Sequence, residues 1–240
     1  MENIAVIFAG GTGQRMNSRT KPKQFLELHG KPILVYTLEV FQRCEIIDRI
    51  VLVMLKEWIP YSQELIAKYH LTKVAAVVAG GGTGQESIFN GISKAKEIAS
   101  SEACVLIHDG VRPIIDEDTI ERCVESVETY GNAITVIPAI ETIAIKGDDG
   151  DTIGKILPRS ECLMARAPQC FRLNDIYNCH LNARKEQLAD FIDSASLMQH
   201  YGYTLHAVVG HPENIKITTP SDFYIFRAIL DAQENSQIFG

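Results

Sequence analysis

Short apolar runs alternate with amphipathic stretches along most of this 240-residue chain. Runs rich in β-branched residues and bounded by turn or polar residues are typical of buried strands. They predict strands at Ile4–Phe8, Ile50–Met54, Val74–Val78, Cys104–Ile107 and Ala133–Ile137. Between them, apolar positions at helical spacing predict helices at about Pro32–Arg43, Glu57–Tyr69, Glu86–Ile98 and Glu117–Thr129. Further along, Tyr203–Val209 is predicted as a strand, and Thr219 is placed to cap a final helix with Asp222 at the capping-box position.

This repeated β-α order indicates the α/β class, with a mostly parallel twisted sheet and helices on both faces. We predict a single domain over residues 1–240. In such sheets, ligands bind outside the C-terminal ends of the strands. That rule brings three segments to one edge: the loop after Phe8, the glycine loop Gly80–Gly84, and His108–Pro113. The sequence therefore predicts one cleft built from three loops.

Residues 141–165 break the β-α pattern. Thr142–Ile145 and Ile153–Leu157 resemble two strands, and Gly147–Gly150 between them is typical of a hairpin turn. An extended β-arm of this kind seldom buries its own apolar face. We therefore expect the arm to pack against a second subunit and to make the protein a homodimer.

Composition narrows the class of protein. Hydrophobic residues make up 46% of the chain and charged residues 22%, which is ordinary for a globular protein. No apolar run approaches the length that spans a bilayer, so we expect no membrane partner and, by default, a cytoplasmic location. The net charge of −7 argues against a nucleic-acid binder, which would need a broad basic face. The six cysteines show no spacing typical of zinc, and we expect free thiols.

Against that acidic background, a glycine-dense loop follows the first strand and leads into a run of cations. Glycines in this loop let backbone N–H groups approach phosphate oxygens, and the cations neutralise phosphate charge. The order matches neither a Walker A loop nor a complete dinucleotide fingerprint. The cations are Arg15, Arg19, Lys21 and Lys23. Arg15 and Lys23 are the best candidates to bind and activate a triphosphate, and the alternative is a glycine turn with a solvated basic tail.

Three further residues are candidates for the cleft. Asp109 ends an apolar strand and precedes a glycine, so it is the best carboxylate to bind a divalent cation that bridges phosphates, or else a cap for the next helix. Arg112 can serve a substrate phosphate or pair with Asp109. Lys216 lies between two isoleucines at a predicted strand end, so it points to the opposite side of the strand and must reach an anion or solvent.

The remaining arginines, serines and histidines give weaker signals for a binding or catalytic role. Local sequence leaves Arg159 and Arg166 open as phosphate ligands or as free surface side chains. No Gly-x-Ser-x-Gly elbow is present, and the histidines show no triad-like context. A phosphate monoester, whose second pKa is about 6, is largely ionised at neutral pH and needs no activated serine or general base to attack a nucleotide. The missing nucleophile machinery therefore fits nucleotidyl transfer.

Together, these segments resemble the cytidylyltransferases of the methylerythritol-phosphate and ribitol-phosphate type. The resemblance covers almost the whole chain in order. It is carried by Ala9–Met16, Pro22-Lys23-Gln24, the glycine loop before Glu86-Ser87, His108–Pro113, Pro168-Gln169, Asp193–Ser196 and Asn214–Thr218. It implies a Rossmann-like domain, a homodimer joined through the arm, and transfer of CMP from CTP to a polyol phosphate with release of pyrophosphate. Mg²⁺, bound mainly through the nucleotide phosphates, is the implied cofactor.

Local reasoning and the resemblance together assign roles to residues of this chain. The catalytic set is Arg15, Lys23 and Lys216. The nucleotide-binding set is Ala9, Gly10, Gly11, Gly13, Gly81, Gly82, Ser87 and Asp109, with Asp109 also the metal ligand. The acceptor-binding set is Asp109, Arg112, Thr142, Arg159 and Lys216. In the resembled family, the residues matched by Thr142 and Arg159 act from the neighbouring subunit.

The resemblance favours D-ribitol 5-phosphate over 2-C-methyl-D-erythritol 4-phosphate as the acceptor. The Ala9-Gly10-Gly11 opening is similar to the ribitol branch, and Ala167 lacks a hydroxyl that could bond an acceptor oxygen. In the nucleotide loop, Gly84 stands where members of the resembled family often carry an arginine, so one possible contact with the nucleotide is missing. Two alternatives stay open: a nucleotidyltransferase that loads a guanylyl, uridylyl or thymidylyl group, and a non-catalytic nucleotide-binding protein.

Overall fold

The computed structural model describes residues 1–10 and 21–239, with the side chains of the last helix described as far as residue 235. The strands are β1 Asn3–Ala9, β2 Glu27–Leu28, β3 Lys31–Pro32, β4 Arg49–Met54, β5 Val74–Ala79, β6 Cys104–Asp109, β7 Asn132–Pro138, β8 Ile143–Lys146, β9 Ile153–Leu157, β10 Leu163–Arg172 and β11 Ala207–Val209. The helices are α1 Ile33–Arg43, α2 Ile59–Lys68, α3 Gly84–Ile98, α4 Glu117–Tyr130, α5 Leu173–Lys185, α6 Ser194–His200 and α7 Pro220–Phe239.

Seven strands form one sheet in the order β11-β7-β10-β6-β1-β4-β5. Neighbouring strands pair in parallel, except that β10 is antiparallel to both β6 and β7. The predicted α/β class with a mostly parallel sheet is therefore confirmed. The hairpin β2-β3 and the arm β8-β9 are separate two-stranded sheets.

Helices cover both faces of the sheet because side chains of a strand alternate between its two sides. On β1, Ala5 and Ile7 pack into the cluster that holds α1, α2 and α4. Ile4 and Val6 pack into the opposite cluster, which holds α3, α5 and α6. All four side chains are fully buried.

Helix ends follow local capping chemistry. Asp116, not Asp109, caps α4, since its carboxylate accepts the N–H of Thr119 at 2.7 Å. At α7, the N–H of Thr219 donates to Asp222 Oδ2 at 2.7 Å, and the Asp222 N–H donates back to Thr219 Oγ1 at 3.4 Å. Aspartate thus completes the predicted capping box in the place of the usual glutamate.

Three parts of the prediction need correction. Only Ala207–Val209 of the predicted strand Tyr203–Val209 joins the sheet, because the side-chain amide of Asn132 bonds the Thr204 carbonyl and the His206 N–H in place of strand pairing. The segment around Lys216 belongs to no strand. The prediction also omits β10, α5 and α6, which complete the sheet and one of its two faces.

All six cysteines are free thiols, and five of them are buried. None of the helices in the described ranges is long and apolar enough to cross a membrane.

Helix α3 approaches the sheet closely at Gly91, which yields a stability prediction. A Cβ there would lie 2.5 Å from Val6 Cγ1 and 2.6 Å from Val53 Cγ2. We expect Gly91→Ala to lower the free energy of unfolding by about 1–3 kcal/mol through overpacking, as measured by urea denaturation. Gly84→Ala at the start of the same helix is the matched control, because a Cβ there meets nothing within 4 Å. Equal stability of Gly91→Ala and the unchanged protein would contradict this close contact.

Candidate active site

The C-terminal ends of β1, β5 and β6 meet at one edge of the sheet, because these strands run parallel. Gly10 follows β1, the glycine loop follows β5, and Asp109 ends β6. The Ser87 Oγ atom lies 3.7 Å from the place a Cβ on Gly10 would take and 2.9 Å from that of Gly80. Glycine at both positions lets the two loops come together around this serine.

The first turn of α3 shapes the glycine loop. Thr83 caps the helix by accepting the Glu86 N–H at 3.1 Å. The Glu86 carboxylate accepts the N–H of Gly82 at 2.8 Å, and Ser87 Oγ accepts the N–H of Gly81 at 3.0 Å. A Cβ on Gly81 would lie 2.2 Å from Glu86 Cγ, so this tight path excludes other residues there. Two side chains of α3 therefore preshape the predicted nucleotide loop.

Asp109 sits between two cations. Its Oδ2 accepts from Arg112 Nε at 2.8 Å, and its Oδ1 pairs with Lys216 Nζ at 2.5 Å. Burial by itself raises the pKa of Asp109, but Lys216 and Arg112 outweigh it and hold the pKa below its ordinary value. The carboxylate is therefore ionised at neutral pH, and both of its oxygens are engaged.

The segment 214–217, which carries Lys216, also binds a second lysine, Lys23. Lys23 Nζ donates to the Ile217 carbonyl at 2.9 Å, next to Lys216 in the chain. Lys216 also lies 5.9 Å from the centre of the Phe8 ring. The Ile217 N–H donates to Val111 at 2.9 Å, which ties the segment to the loop after β6. Two lysines far apart in sequence thus meet at the edge of the sheet.

A cavity of about 400 Å³ opens beside these residues. Its charged lining residues are Asp109, Arg112, Arg166, Asp193 and Lys216, and its apolar wall contains Phe8, Ile88, Ile107 and Leu197. Gln85, His180 and Ser194 also line it. Each of these three carries a buried polar atom, Oε1, Nε2 and Oγ respectively, that has no hydrogen-bond partner within the described residues. The cavity therefore offers cations, an apolar wall and polar atoms able to bond a hydroxylated ligand.

Two buried histidines near the cavity are neutral. Burial lowers the pKa of His108 to about 4 and that of His180 also to about 4. The Nε2 atom of His108 lies 3.1 Å from the Arg112 carbonyl, which can only accept, so the proton is on Nε2. His108 thereby holds the turn that carries Asp109 and Arg112.

Comparison with known proteins identifies the family. The model of the 2-C-methyl-D-erythritol 4-phosphate cytidylyltransferase (IspD) family matches residues 3–232. The chain belongs to this family. As a member of the IspD family, it is a nucleotidyltransferase of the cytidylyltransferase type.

Relatives within the IspD family carry two names. The chain is 50% identical over 240 residues, the full length of both chains, to the "Ribitol-5-phosphate cytidylyltransferase" of Streptococcus agalactiae serotype V. It is 39% identical over 229 residues, 95% of this chain and 97% of the relative, to the "2-C-methyl-D-erythritol 4-phosphate cytidylyltransferase" of Clostridium acetobutylicum. The crystal structure of 4-diphosphocytidyl-2C-methyl-D-erythritol synthase from Anaerococcus prevotii has a TM-score of 0.80, 27% identity and 96% coverage of both chains.

The structure brings some of the predicted site residues together and leaves others apart. Lys23, Asp109, Arg112 and Lys216 converge, and the nearby loops hold Ala9, Gly10, Gly81, Gly82 and Ser87. Gly11, Gly13 and Arg15 lie outside the described residues. Thr142 and Arg159 are exposed on the arm, where Arg159 Nη1 donates to the Ile140 carbonyl at 3.0 Å, and neither lines the cavity of its own chain.

Two residues that the sequence analysis did not assign to the site also build it. Gln169 joins β10 to α6, because its amide bonds Asp193 Oδ2 at 2.8 Å and the Ala195 N–H at 2.9 Å. Asn214 donates to the Ala167 carbonyl at 2.7 Å, and its own carbonyl accepts from Arg112 and Arg166. The available signals were the Pro168-Gln169 and Asn214–Thr218 motifs, which carried the resemblance but assigned neither Gln169 nor Asn214 a role.

One side chain of this site, Asp109, could bind a divalent cation. Asp109 is ionised and offers hard oxygen atoms, which suit a cation such as Mg²⁺. Lys216 and Arg112 already occupy both oxygens, and Asp109 belongs to no group of three close His, Cys, Asp or Glu ligands among the described residues. The site therefore fits a metal ion that is carried mainly by substrate phosphates.

The buried neutral histidines predict a pH dependence of stability. A histidine with a folded pKa of about 4 and an ordinary unfolded pKa stabilises the fold fully above pH 6.5, and this contribution is lost as the pH falls toward 4. Between pH 7 and pH 5, His180 alone should cost roughly 2 kcal/mol of unfolding free energy. His180→Phe should reduce the measured loss by that amount in urea titrations at both pH values. His211→Asn, at an exposed histidine, is the control, and an unchanged pH slope in His180→Phe would refute the assignment.

Proposed function

We propose that this protein is a ribitol-5-phosphate cytidylyltransferase, which transfers CMP from CTP to D-ribitol 5-phosphate and releases pyrophosphate. The observation that carries the acceptor choice is full-length identity of 50% to a relative of that name, against 37–40% to relatives named for the methylerythritol acceptor. Ala167 adds support, because it lines the cavity with a methyl group where a threonine would present a hydroxyl.

The geometry supports nucleotidyl transfer through charge. An oxygen of the acceptor phosphate attacks the α-phosphorus of CTP, and the bond to the pyrophosphate leaving group breaks. In this proposal Lys216 and Lys23 stabilise the negative charge of the transition state, and their convergence at the edge of the sheet supports that role. Asp109 orients Lys216 through its 2.5 Å ion pair and leaves the remaining ammonium protons for phosphate oxygens.

The proposal includes Mg²⁺ with Asp109 as its protein ligand. When bound, the ion would neutralise phosphate charge between the triphosphate and the protein. Gly11, Gly13 and Arg15 are also proposed as triphosphate contacts. They lie in the sequence between Gly10 and Lys21, outside the described residues. The flanks of that segment are joined, since Gln24 Nε2 donates to the Ala9 carbonyl at 2.6 Å.

A second candidate acceptor is 2-C-methyl-D-erythritol 4-phosphate. The name of the matched family model and the relatives at 39–40% identity favour it. The two acceptors differ by a methyl branch and the placement of one carbon, and a methyl difference alone is worth only about 1–3 kcal/mol of selectivity. Direct comparison of the two substrates must therefore decide.

Turnover with purified substrates tests this function. We expect pyrophosphate release from CTP with D-ribitol 5-phosphate, and a kcat/KM at least about tenfold higher than with 2-C-methyl-D-erythritol 4-phosphate. GTP, UTP and ATP serve as controls for the base. A tenfold preference for 2-C-methyl-D-erythritol 4-phosphate would contradict the proposed acceptor. Turnover with GTP or UTP, and none with CTP, would contradict the proposed nucleotide. Nucleotide binding without turnover would favour a non-catalytic protein.

We further propose that the protein is a homodimer in which the arm at residues 141–165 reaches the neighbouring cleft. The arm leaves Ile145, Ile153 and Ile156 at 49%, 67% and 60% exposure, which is costly for three isoleucines of one small hairpin. Its Arg159 would then complete the acceptor site of the partner, since it does not line the cavity of its own chain.

Subunit mixing tests the shared site. Lys216→Ala and Arg159→Ala should each lose roughly 10²-fold or more in kcat while they remain folded. A heterodimer of the two variants retains one intact site, so random exchange should restore about a quarter of the unchanged activity. Lys56→Ala, at an exposed lysine away from the cavity, is the control for the lysine substitution. A monomer at micromolar concentration, or no recovery after mixing, would contradict the shared site.

A further inference from the structure

Arg166 enters the cavity because the strand that carries it is irregular. Strand β10 pairs with β7 at Ala165 and again at Gln169, and the register shifts between these two residues. A bulge of this kind re-aims the side chains within it. Arg166 lies in the bulge, is only partly exposed and lines the cavity.

The surroundings of Arg166 are positive. Burial of the guanidinium lowers the pKa of Arg166, and the positive charge of nearby Arg112 lowers it further. Lys216 lines the same cavity. Arginine nevertheless stays charged in proteins, so the cavity wall holds three cations.

Little in the protein balances this charge. Asp109 is already shared between Lys216 and Arg112. Asp193 also lines the cavity, but its carboxylate oxygens accept from the Gln169 amide and the Ser196 N–H. Among the described residues, Arg166 makes one hydrogen bond, of 3.3 Å from Nη1 to the neutral Asn214 carbonyl, which Arg112 also uses at 3.0 Å. Every Asp and Glu side chain of the sequence lies in the described part of the chain, and none of them forms an ion pair with Arg166. A half-buried guanidinium with four further N–H donors is thus left for a ligand.

We propose that Arg166 binds a phosphate group of the substrate, as an anion-binding residue contributed to the cavity by its own chain. A guanidinium presents parallel N–H groups that match two oxygens of a phosphate, which a lysine cannot do. The acceptor phosphate and the nucleotide phosphates share this chemistry, and the experiment distinguishes them. The identity of the substrates in this inference rests on the proposed nucleotidyl transfer, whereas the first test below, which uses inorganic phosphate, does not depend on it.

A structural role for Arg166 makes the opposite prediction about stability. If the residue served only to hold the Asn214 carbonyl, its removal would lower the melting temperature. If it is an unbalanced cation kept for a ligand, Arg166→Gln relieves repulsion from Arg112. The melting temperature without ligand should then be unchanged or higher.

The first test needs no turnover. Inorganic phosphate is titrated at constant ionic strength, balanced with chloride, and its apparent Kd is taken from the shift in melting temperature. Arg166→Gln should weaken phosphate binding at least about tenfold, and Arg166→Lys should recover part of it. Arg172→Gln is the matched control, because Arg172 ends the same strand, is exposed and contacts the Glu128 carbonyl. Phosphate binding in Arg166→Gln equal to that of the unchanged protein would overturn the proposal, as would a clear loss of melting temperature with unchanged ligand affinity.

Steady-state kinetics then assigns the phosphate. A KM for D-ribitol 5-phosphate raised at least about tenfold with an unchanged KM for CTP assigns Arg166 to the acceptor, and the reverse assigns it to the nucleotide. Unchanged values of both KM and kcat would overturn the proposal. Absence of turnover in the unchanged protein, with phosphate binding still dependent on Arg166, would refute the proposed function and leave this inference standing.

Discussion

The site depends on one buried carboxylate. Asp109 is only 5% exposed, and it joins the end of β6 to the segment that carries Lys216. A charge in such a place is tolerated because two cations pair with it, and loss of the carboxylate would leave both cations unbalanced in a partly desolvated cleft. The segment of Lys216 has no strand pairing to hold it. Its position rests on the Asp109 pair, on the Lys23 and Val111 contacts of Ile217, and on the bonds of Asn214.

The elements that were predictable from the sequence are those whose local pattern agrees with their final environment. Strands such as Ile4–Phe8 and Cys104–Ile107 are continuous apolar runs, because helices cover both faces of a parallel sheet. Strand β10 gives no such signal, since it contains Arg166, Arg172 and a bulge between Ala165 and Gln169. Its place in the sheet is decided by pairing with β6 and β7, which are distant in the sequence. The strand predicted at Tyr203 is shortened for a similar reason, because the side chain of Asn132 replaces the strand hydrogen bonds.

The same distinction applies to the site. Asp109 and Lys216 stand out in the sequence because a charged residue beside a glycine or within an apolar segment is unusual by itself. Lys23 stands out as one of the cations that follow the glycine-dense loop. Gln169 bonds the Asp193 carboxylate and the Ala195 N–H, and Asn214 bonds the Ala167 carbonyl and accepts from Arg112 at its own backbone carbonyl. Local sequence does not reveal such contacts between distant segments. For Arg166 the sequence left two roles open, and only the bulge and the neighbouring cations in the folded chain distinguish a cavity residue from a surface one.

A cation-rich cleft in an acidic protein constrains how the substrates are captured. The chain has a net charge of −7, so its overall field does not attract a triphosphate from a distance. At physiological salt, screening acts over about 8 Å, so the attraction that Lys23, Lys216, Arg112 and Arg166 exert on a phosphate is felt at short range. Affinity must then come from short, partly desolvated contacts whose strength depends on geometry. Neutral bonds from His108 and Asn214 hold Arg112 and Arg166 in place, because a cleft without long-range steering depends on the accuracy of its short-range contacts.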